Sequence, residues 1–304
     1  MEDKVQLPAL ALAAVPGRRL ATLELAHEIE RRGFQGIYCA SFGDAMGLCL
    51  SLAHTTKTLH FGTAIANIYA RTAFDMGQAA AYLHEISKGR FRLGLGVSHA
   101  PVNARLGAHP GNPLSDMRAY VEAVRAGSKA YGELPPVVLA ALRRNMVALA
   151  GELAEGAVWA NAARSHMAAS LAALPPERRQ GKFFIGNMIP TCVDDDAAAA
   201  AAVHRKTLSG YLLLPNYRNY WKEAGYVEEM EAVEAALAKG ERERLPGLMS
   251  DRWLADTTLS GNASKVREGV EAWRAAGVTT PIVVPSSARG GQLKAFEEVL
   301  AAFA

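Results

Sequence analysis

The sequence predicts a (β/α)₈ barrel carrying a helical insertion between its seventh and eighth strands. Short runs that are apolar throughout alternate with amphipathic, alanine-rich segments about eight times, which is the pattern of a parallel sheet covered on its outer face. The chain has 304 residues and is 50% apolar, so it can bury one large core, and at this length such repeats favour closure over an open sheet. One stretch, residues 209–262, breaks the rhythm and concentrates aromatic side chains.

The elements follow in order. Residues 5–15 read as the first strand. The apolar run within them is preceded by Met1-Glu2-Asp3-Lys4, which is not net positive, so a buried strand is preferred to a leader peptide. Residues 20–32 read as a helix, with Leu25 and Ile29 one turn apart on one face and Gly33 as the stop. Then come strand 36–41 and helix 46–55, strand 59–67 and helix 74–87, and strand 91–98. A Gly- and Pro-rich loop leads to helix 116–130. The second half repeats the alternation: strand 136–141 and helix 145–154, strand 157–161 and helix 166–174, strand 183–189 and helix 197–208. Helix 266–276, strand 281–285 and helix 293–303 close the chain.

Residues 209–262 hold Tyr211, Tyr217, Tyr220, Trp221, Tyr226 and Trp253. We read them as a mostly helical insertion over the barrel mouth within a single domain, its aromatics divided between a cavity wall and a satellite core. Asp194, Asp195 and Asp196 precede an alanine run and read as a helix cap rather than a metal site.

Composition narrows the function. The formal charge is +3, and basic residues are interspersed with acidic ones, as in Glu28-Ile29-Glu30-Arg31-Arg32, so no cationic stripe suits nucleic acid or a membrane surface. Three cysteines, Cys39, Cys49 and Cys192, are too few and scattered for a disulfide framework, which points to a reducing cytoplasm. Cys192 has no basic sequence neighbour and reads as inert. No run is long and apolar enough for a transmembrane helix.

Active sites of such barrels lie at the C-terminal ends of the strands. That rule selects Ala13–Val15, Ala40, Ser41 and Phe42, Ala66, Asn67 and Tyr69, Val97, Ser98 and His99, Ala141, Leu142 and Arg143, Asn161, and Asn187, Met188 and Cys192. Carboxylates are scarce, which disfavours glycoside hydrolysis. There is no His/Asp cluster for a metal-dependent hydrolase, no Gly-x-Ser-x-Gly elbow and no strand-end lysine. Amides, hydroxyls, one histidine and arginines suit the positioning of an aromatic, phosphate-bearing cofactor that supplies the reactivity. Gly94 and Gly96 lie within a strand with His99 where a third glycine would stand, so they read as steric clearance and not as a dinucleotide fingerprint. In Val138–Asn145 a strand ends, small residues follow, and Arg143 and Arg144 open a helix. This is either an anion site or a pair of solvated arginines.

These residues resemble a known family. Gly62-Thr63-Ala64-Ile65-Ala66-Asn67-Ile68-Tyr69-Ala70-Arg71 is similar to the third-strand region of the luciferase-like flavin- and F420-dependent oxidoreductases. Ser87-Lys88-Gly89-Arg90-Phe91-Arg92-Leu93-Gly94-Leu95-Gly96-Val97-Ser98 resembles that family's next elements, as does Leu139–Asn145 running into Ala150-Gly151-Glu152-Leu153-Ala154-Glu155-Gly156. The resemblance implies a barrel with an insertion after strand seven, F420 or alternatively FMN at the C-terminal mouth, and a homodimer, here expected through the second and third helices. It implies a β-bulge with a cis peptide at Ala64–Ile65. It places Ala64, Ile65, Asn67, Gly96, Val97 and Ser98 against the cofactor ring and Ala141, Leu142, Arg143 and Arg144 at its phosphate.

The chain departs from the family at two points. Ser41 and Phe42 stand where several F420 enzymes carry an acidic residue and a histidine, and His99 stands where some carry a glutamate. His99 is the candidate proton donor, against a loop histidine bonded to backbone, and Ser41 is a candidate hydrogen-bonding partner of cofactor or substrate. The expected activity is hydride transfer between reduced F420 or FMN and a small organic molecule. The rivals are an FMN- and oxygen-dependent monooxygenase, a cofactor-binding protein without catalysis, and a metal-dependent hydrolase.

Overall fold

The computed structural model of the protein describes residues 6–41 and 43–304. Phe42, and Val5 at the start of the first expected strand, lie outside the described residues.

The apolar runs become strands, each shorter than its run. They are β1 (Ala9–Leu12), β2 (Ile37–Cys39), β3 (Phe61–Asn67), β4 (Phe91–Gly96), β5 (Val137–Ala140), β6 (Gly156–Ala160), β7 (Phe184–Val193), β8 (Leu259–Gly261) and β9 (Thr280–Ser286). Ala9–Leu12 and Ile37–Cys39 are buried at every position, as strands covered on both faces require. The sheet order is β6-β5-β4-β3-β2-β1-β9-β7-β8, and β6 also pairs with β7. Eight strands thus form a closed parallel ring with helices between them, the predicted (β/α)₈ barrel, and β8 is an additional strand on the end of β7.

The residues cluster into two compact units. The first runs to Trp159 and adds Leu171–Gly186; the second comprises Ala160–Ser170 and Asn187–Ala304. In the first unit β1 through β6 pair in sequence order, all parallel. The helix Arg19–Arg32 ends at Gly33, whose φ of 81° is left-handed and lets its N–H close on the Ile29 and Glu30 carbonyls. Just before that stop, Glu30 Oε1 accepts from the backbone N–H groups of Lys57, Thr58 and Leu59 at 2.7–2.9 Å, which fixes the turn leading into β3. Arg90 at the head of β4 is likewise structural. Its guanidinium donates to the Ala53, Thr56 and Leu59 carbonyls and lies 5.2 Å from the Phe61 ring centre.

In the second unit β7 and β8 pair in parallel through Thr191, Cys192 and Val193, so β7 runs four residues beyond the expected end at Ile189. β8 was not expected inside residues 209–262: three residues are too few to show a period of two. The rest of that stretch is helical, including Pro215–Glu223, Val227–Ala238 and Asp251–Thr257. Asp196 caps the helix Ala197–Leu212 through the Ala198 and Ala199 N–H groups, as its position before the alanine run suggested.

Two expected helices break. Helix 116–130 divides at Gly127 into Pro113–Ala126 and Ser128–Tyr131, and the Tyr131 ring packs into the space that a side chain at Gly127 would take. Helix 166–174 becomes a 3₁₀ turn, Arg164–His166, and the short helix Met167–Leu171.

His204 lies on Ala197–Leu212, fully buried, with Nε2 3.1 Å from the Leu259 carbonyl of β8. Burial lowers its pKa from 6.5 to about 4. A depressed histidine pKa means that the unfolded chain takes up the proton first, so stability falls as pH drops from about 6.5 to about 4. His204→Leu should lose the bond to Leu259 but flatten this window by about 2 kcal/mol. Urea midpoints at pH 7 and pH 4.5 measure it, and an unchanged pH slope would refute it.

Candidate functional site

The predicted site residues on β2 through β5 all belong to the first unit. β3 carries the main irregularity there. Thr63 aligns with Leu93 and Ala66 with Leu95, so three steps on β3 face two on β4, which makes a bulge at Ala64–Ile65. The Thr63 hydroxyl accepts from Gly94 N–H at 2.9 Å and donates to the Gly94 carbonyl at 2.8 Å, filling the gap that the bulge leaves in the ladder. The bulge is thus where it was expected, but the Ala64–Ile65 peptide is not cis. Every peptide bond among the described residues is trans. The irregularity on β3 is the extra residue itself, carried by trans peptides.

The glycines of β4 are the steric counterpart. A Cβ at Gly94 would stand 2.0 Å from the Thr63 carbonyl oxygen and 2.4 Å from that of Ala64. A Cβ at Gly96 would stand 2.5 Å from Ile65 Cγ2. Ile65 therefore packs over Gly96. Ala64, Ala66 and Ala141 are buried, and Ala140 is half-buried.

Beyond the bulge, Asn67 donates through Nδ2 to Asn103 Oδ1 at 2.9 Å and accepts through Oδ1 from Tyr69 N–H at 3.0 Å. Asn103 in turn donates to the Val97 carbonyl at 2.9 Å. Both ends of the Asn67 amide thus have protein partners, which join the end of β3 to the loop after β4. The Tyr69 hydroxyl donates to Asp116 Oδ2 at 2.6 Å, and the same oxygen accepts from Gly111 N–H. Neither Asn103 nor Asp116 stands out in the sequence, because the strand-end residues they bond, Asn67 and Tyr69, lie 36 and 47 positions away.

Val97 and Ser98 follow β4 in irregular backbone, Ser98 with φ +56°. A left-handed serine is uncommon, and such strain gathers at functional sites. His99 sits half-buried as the N-cap residue of an unpredicted short helix, Ala100–Arg105. Burial pushes its imidazole below the ordinary value of 6.5, which favours the uncharged form at neutral pH. Ser41 is exposed at the end of β2, beside Phe42, which lies outside the described residues.

At the end of β5, Ala141 N–H donates to the Val158 carbonyl. Arg143 is the N-cap residue of the helix Arg144–Leu153 and makes no side-chain cap bond there. Both arginine side chains are exposed. A helix start without a side-chain cap, flanked by two cations, is suited to a phosphate.

The second unit holds the insertion aromatics. Tyr211 and Tyr217 meet at 5.0 Å between ring centres, Tyr217 and Trp221 at 5.3 Å, and Trp221 and Trp253 at 4.7 Å. Tyr220, Trp221 and Trp253 are fully buried, so much of this cluster is core. Asp256 ties it down, accepting from Ser165 N–H, Ser165 Oγ and the Tyr226 hydroxyl. Cys192 is buried, and burial raises its thiol pKa. No group of three or more His, Cys, Asp or Glu that could hold a metal occurs among the described residues.

The family described as luciferase-like monooxygenase matches residues 13–280, most of the chain. The chain belongs to that family. A Mycobacterium tuberculosis protein bearing the name "Putative coenzyme F420-dependent oxidoreductase" is 26% identical over 316 aligned positions, covering 87% of this chain and 90% of the relative. The coenzyme F420-dependent tetrahydromethanopterin reductase from Methanopyrus kandleri has the same fold, with a TM-score of 0.76 at 18% identity, covering 98% of this chain and 100% of that one. The oxygenating constituent of 3,6-diketocamphane monooxygenase from Pseudomonas putida, solved with FMN, has a TM-score of 0.60 at 16% identity, covering 91% and 92%. The luciferase-like fold thus spans F420-dependent and FMN-containing neighbours. Among the described residues no helix is long and apolar enough to cross a membrane.

Proposed function

We propose that this luciferase-like protein is an oxidoreductase that transfers a hydride between reduced F420 and a small organic substrate, with FMN as the alternative cofactor. The observation that carries the reading is the bulge at Ala64–Ile65 stacked on Gly96, adjoining the left-handed Ser98. Ala64, Ile65, Gly96, Val97 and Ser98 would hold the face of a planar ring with small side chains and backbone. Ala141, Leu142, Arg143 and Arg144 would hold the phosphate through main-chain N–H groups and guanidinium charge. Hydride chemistry is what the bound cofactor supplies.

The protein's own groups orient, shield and move protons. His99, uncharged at neutral pH, is better placed to orient the substrate or accept a proton than to release one. Ser41 contributes a hydroxyl from the end of β2. Absorbance of the purified protein titrated with F420 and with FMN tests the reading. Micromolar binding of one of them supports it, and failure to bind either ends it. With a turned-over substrate in hand, His99→Ala should lower turnover about 100-fold and leave cofactor binding intact. Equal turnover would remove His99 from the mechanism.

We also propose a cytoplasmic homodimer. Leu50, Phe74 and Tyr82 on the second and third helices are 39%, 61% and 54% exposed, an apolar surface suited to a second copy. Sedimentation should show a dimer, and Phe74→Asp with Tyr82→Asp should shift it to monomer. A monomeric parent protein at high concentration would refute the assembly.

A further inference from the structure

One residue holds the left-handed turn after β4 from both sides. Ser98 has φ +56°, a conformation that serine seldom adopts and that a free loop would give up. Before it, the Val97 carbonyl accepts from Asn103 Nδ2 at 2.9 Å; after it, the His99 carbonyl accepts from Asn103 N–H at 3.0 Å. Asn103 is 4% exposed and lies in the short helix Ala100–Arg105. Its own carbonyl accepts from the Leu106 and Ala108 N–H groups at 3.1 and 3.0 Å, so the backbone that carries the amide is itself fixed. All of these residues belong to the first unit.

The Asn103 amide can point only one way. The Val97 carbonyl can only accept, and the Tyr69 N–H can only donate. Between them stand the amides of Asn67 and Asn103. Asn67 Oδ1 takes the Tyr69 N–H at 3.0 Å, which leaves Asn67 Nδ2 to donate to Asn103 Oδ1 at 2.9 Å and Asn103 Nδ2 to donate to Val97. The chain of bonds therefore runs with one polarity from the end of β3 to the backbone after β4. Ile68 N–H donates to the Gly96 carbonyl at 3.0 Å, so the residue before Val97 is held by the same strand end.

We propose that Asn103 is a positioning residue, which holds the carbonyls on both sides of Ser98 and thereby sets where the His99 imidazole stands and how the backbone after β4 meets the cofactor ring. Without it, Ser98 would relax to an ordinary negative φ, and the chain beyond would leave β4 in another direction. Asn103 acts through Val97, Ser98 and His99, since both ends of its amide are occupied by protein groups. For the ring, the inference rests on the oxidoreductase reading above; for His99, it rests on the bonds just described.

The test begins with the cofactor-free full chain and follows the His99 ring by NMR as pH changes. In the parent, burial should hold its midpoint below 6.5. Asn103→Leu fills a similar volume but offers neither donor nor acceptor, so His99 should gain water and its midpoint should rise toward 6.5. Ser98→Gly added to Asn103→Leu should bring the midpoint back toward the parent value, because glycine takes a positive φ freely. A merely structural role for Asn103 gives no such rescue. Asp196→Ala is the control: it removes a helix cap in the second unit and should leave the midpoint where it was. In a second arm, whichever of FMN and F420 the parent binds should bind Asn103→Leu about tenfold more weakly, with the same dependence on salt, because the seat of the ring is lost and that of the phosphate is not. Thermal midpoints check folding, and Asn103→Ala replaces Asn103→Leu if the latter unfolds. An unchanged His99 midpoint in the folded variant would overturn the proposal, as would parent-like cofactor affinity. If the parent binds neither cofactor, the oxidoreductase reading falls and the titration still decides the role of Asn103. If the parent binds one and the His99 midpoint does not move, only this inference falls.

Discussion

Gly94→Ala is expected to destabilise the protein by about 4 kcal/mol, a large share of the roughly 5–15 kcal/mol that holds a typical domain folded. The added Cβ would stand 2.0 Å from the Thr63 oxygen and 2.4 Å from the Ala64 oxygen, and both are backbone atoms within a sheet. A flexible side chain could turn aside, but a strand cannot yield without moving its neighbours. Overpacking of this kind costs about 1–3 kcal/mol, and displacing the bulge also disrupts the two Thr63 hydroxyl bonds to Gly94, at about 1 kcal/mol each. Gly210→Ala is the control. Gly210 lies within the helix Ala197–Leu212 with nothing near its Cβ position, so the same change should stabilise by up to about 1 kcal/mol. Denaturant midpoints measure both. If Gly94→Ala unfolds at the parent midpoint, the bulge is not held as described.

The second large effect concerns the phosphate. Arg143→Ala combined with Arg144→Ala should weaken FMN or F420 binding about 100-fold. Each guanidinium is exposed, so the lower end of the charge-assisted range, about 1.5 kcal/mol apiece, applies. The parent's affinity should fall with added salt, and the double variant should lose most of that dependence. Riboflavin, which carries the ring without the phosphate, should bind both proteins alike. Equal loss for riboflavin and FMN would mean that the arginines support the fold or the ring and not the phosphate.

The other assignments differ in how local their causes are. The helix Arg19–Arg32 was readable because its stop, Gly33, is set by a backbone preference that belongs to one residue. The cap at Asp196 was readable for the same reason. The bulge at Ala64–Ile65 came from the resemblance, and its trans geometry could not be read there, since the peptide's isomer depends on the strands beside it. Asn67 was placed correctly at a strand end, but its amide partners, Asn103 and Tyr69, appear only once the loop after β4 folds back. Asn161 stood among the strand-end residues, but the partners of its backbone, the Met188 carbonyl and the Trp221 indole, come from distant parts of the sequence.

The amino-acid order by itself determined the alternation of strand and helix, the ring-shaped sheet and the family, since these follow from the spacing of apolar residues and from short contiguous motifs. Tertiary structure alone decided the ninth strand, the trans bulge, the burial that lowers the His99 pKa and the partners of Asn67, Asn103 and Asn161. The physical reason is range. Periodicity and capping act within a few residues, whereas burial, pairing register and hydrogen-bond partnership depend on atoms that only the folded chain brings within a few ångströms.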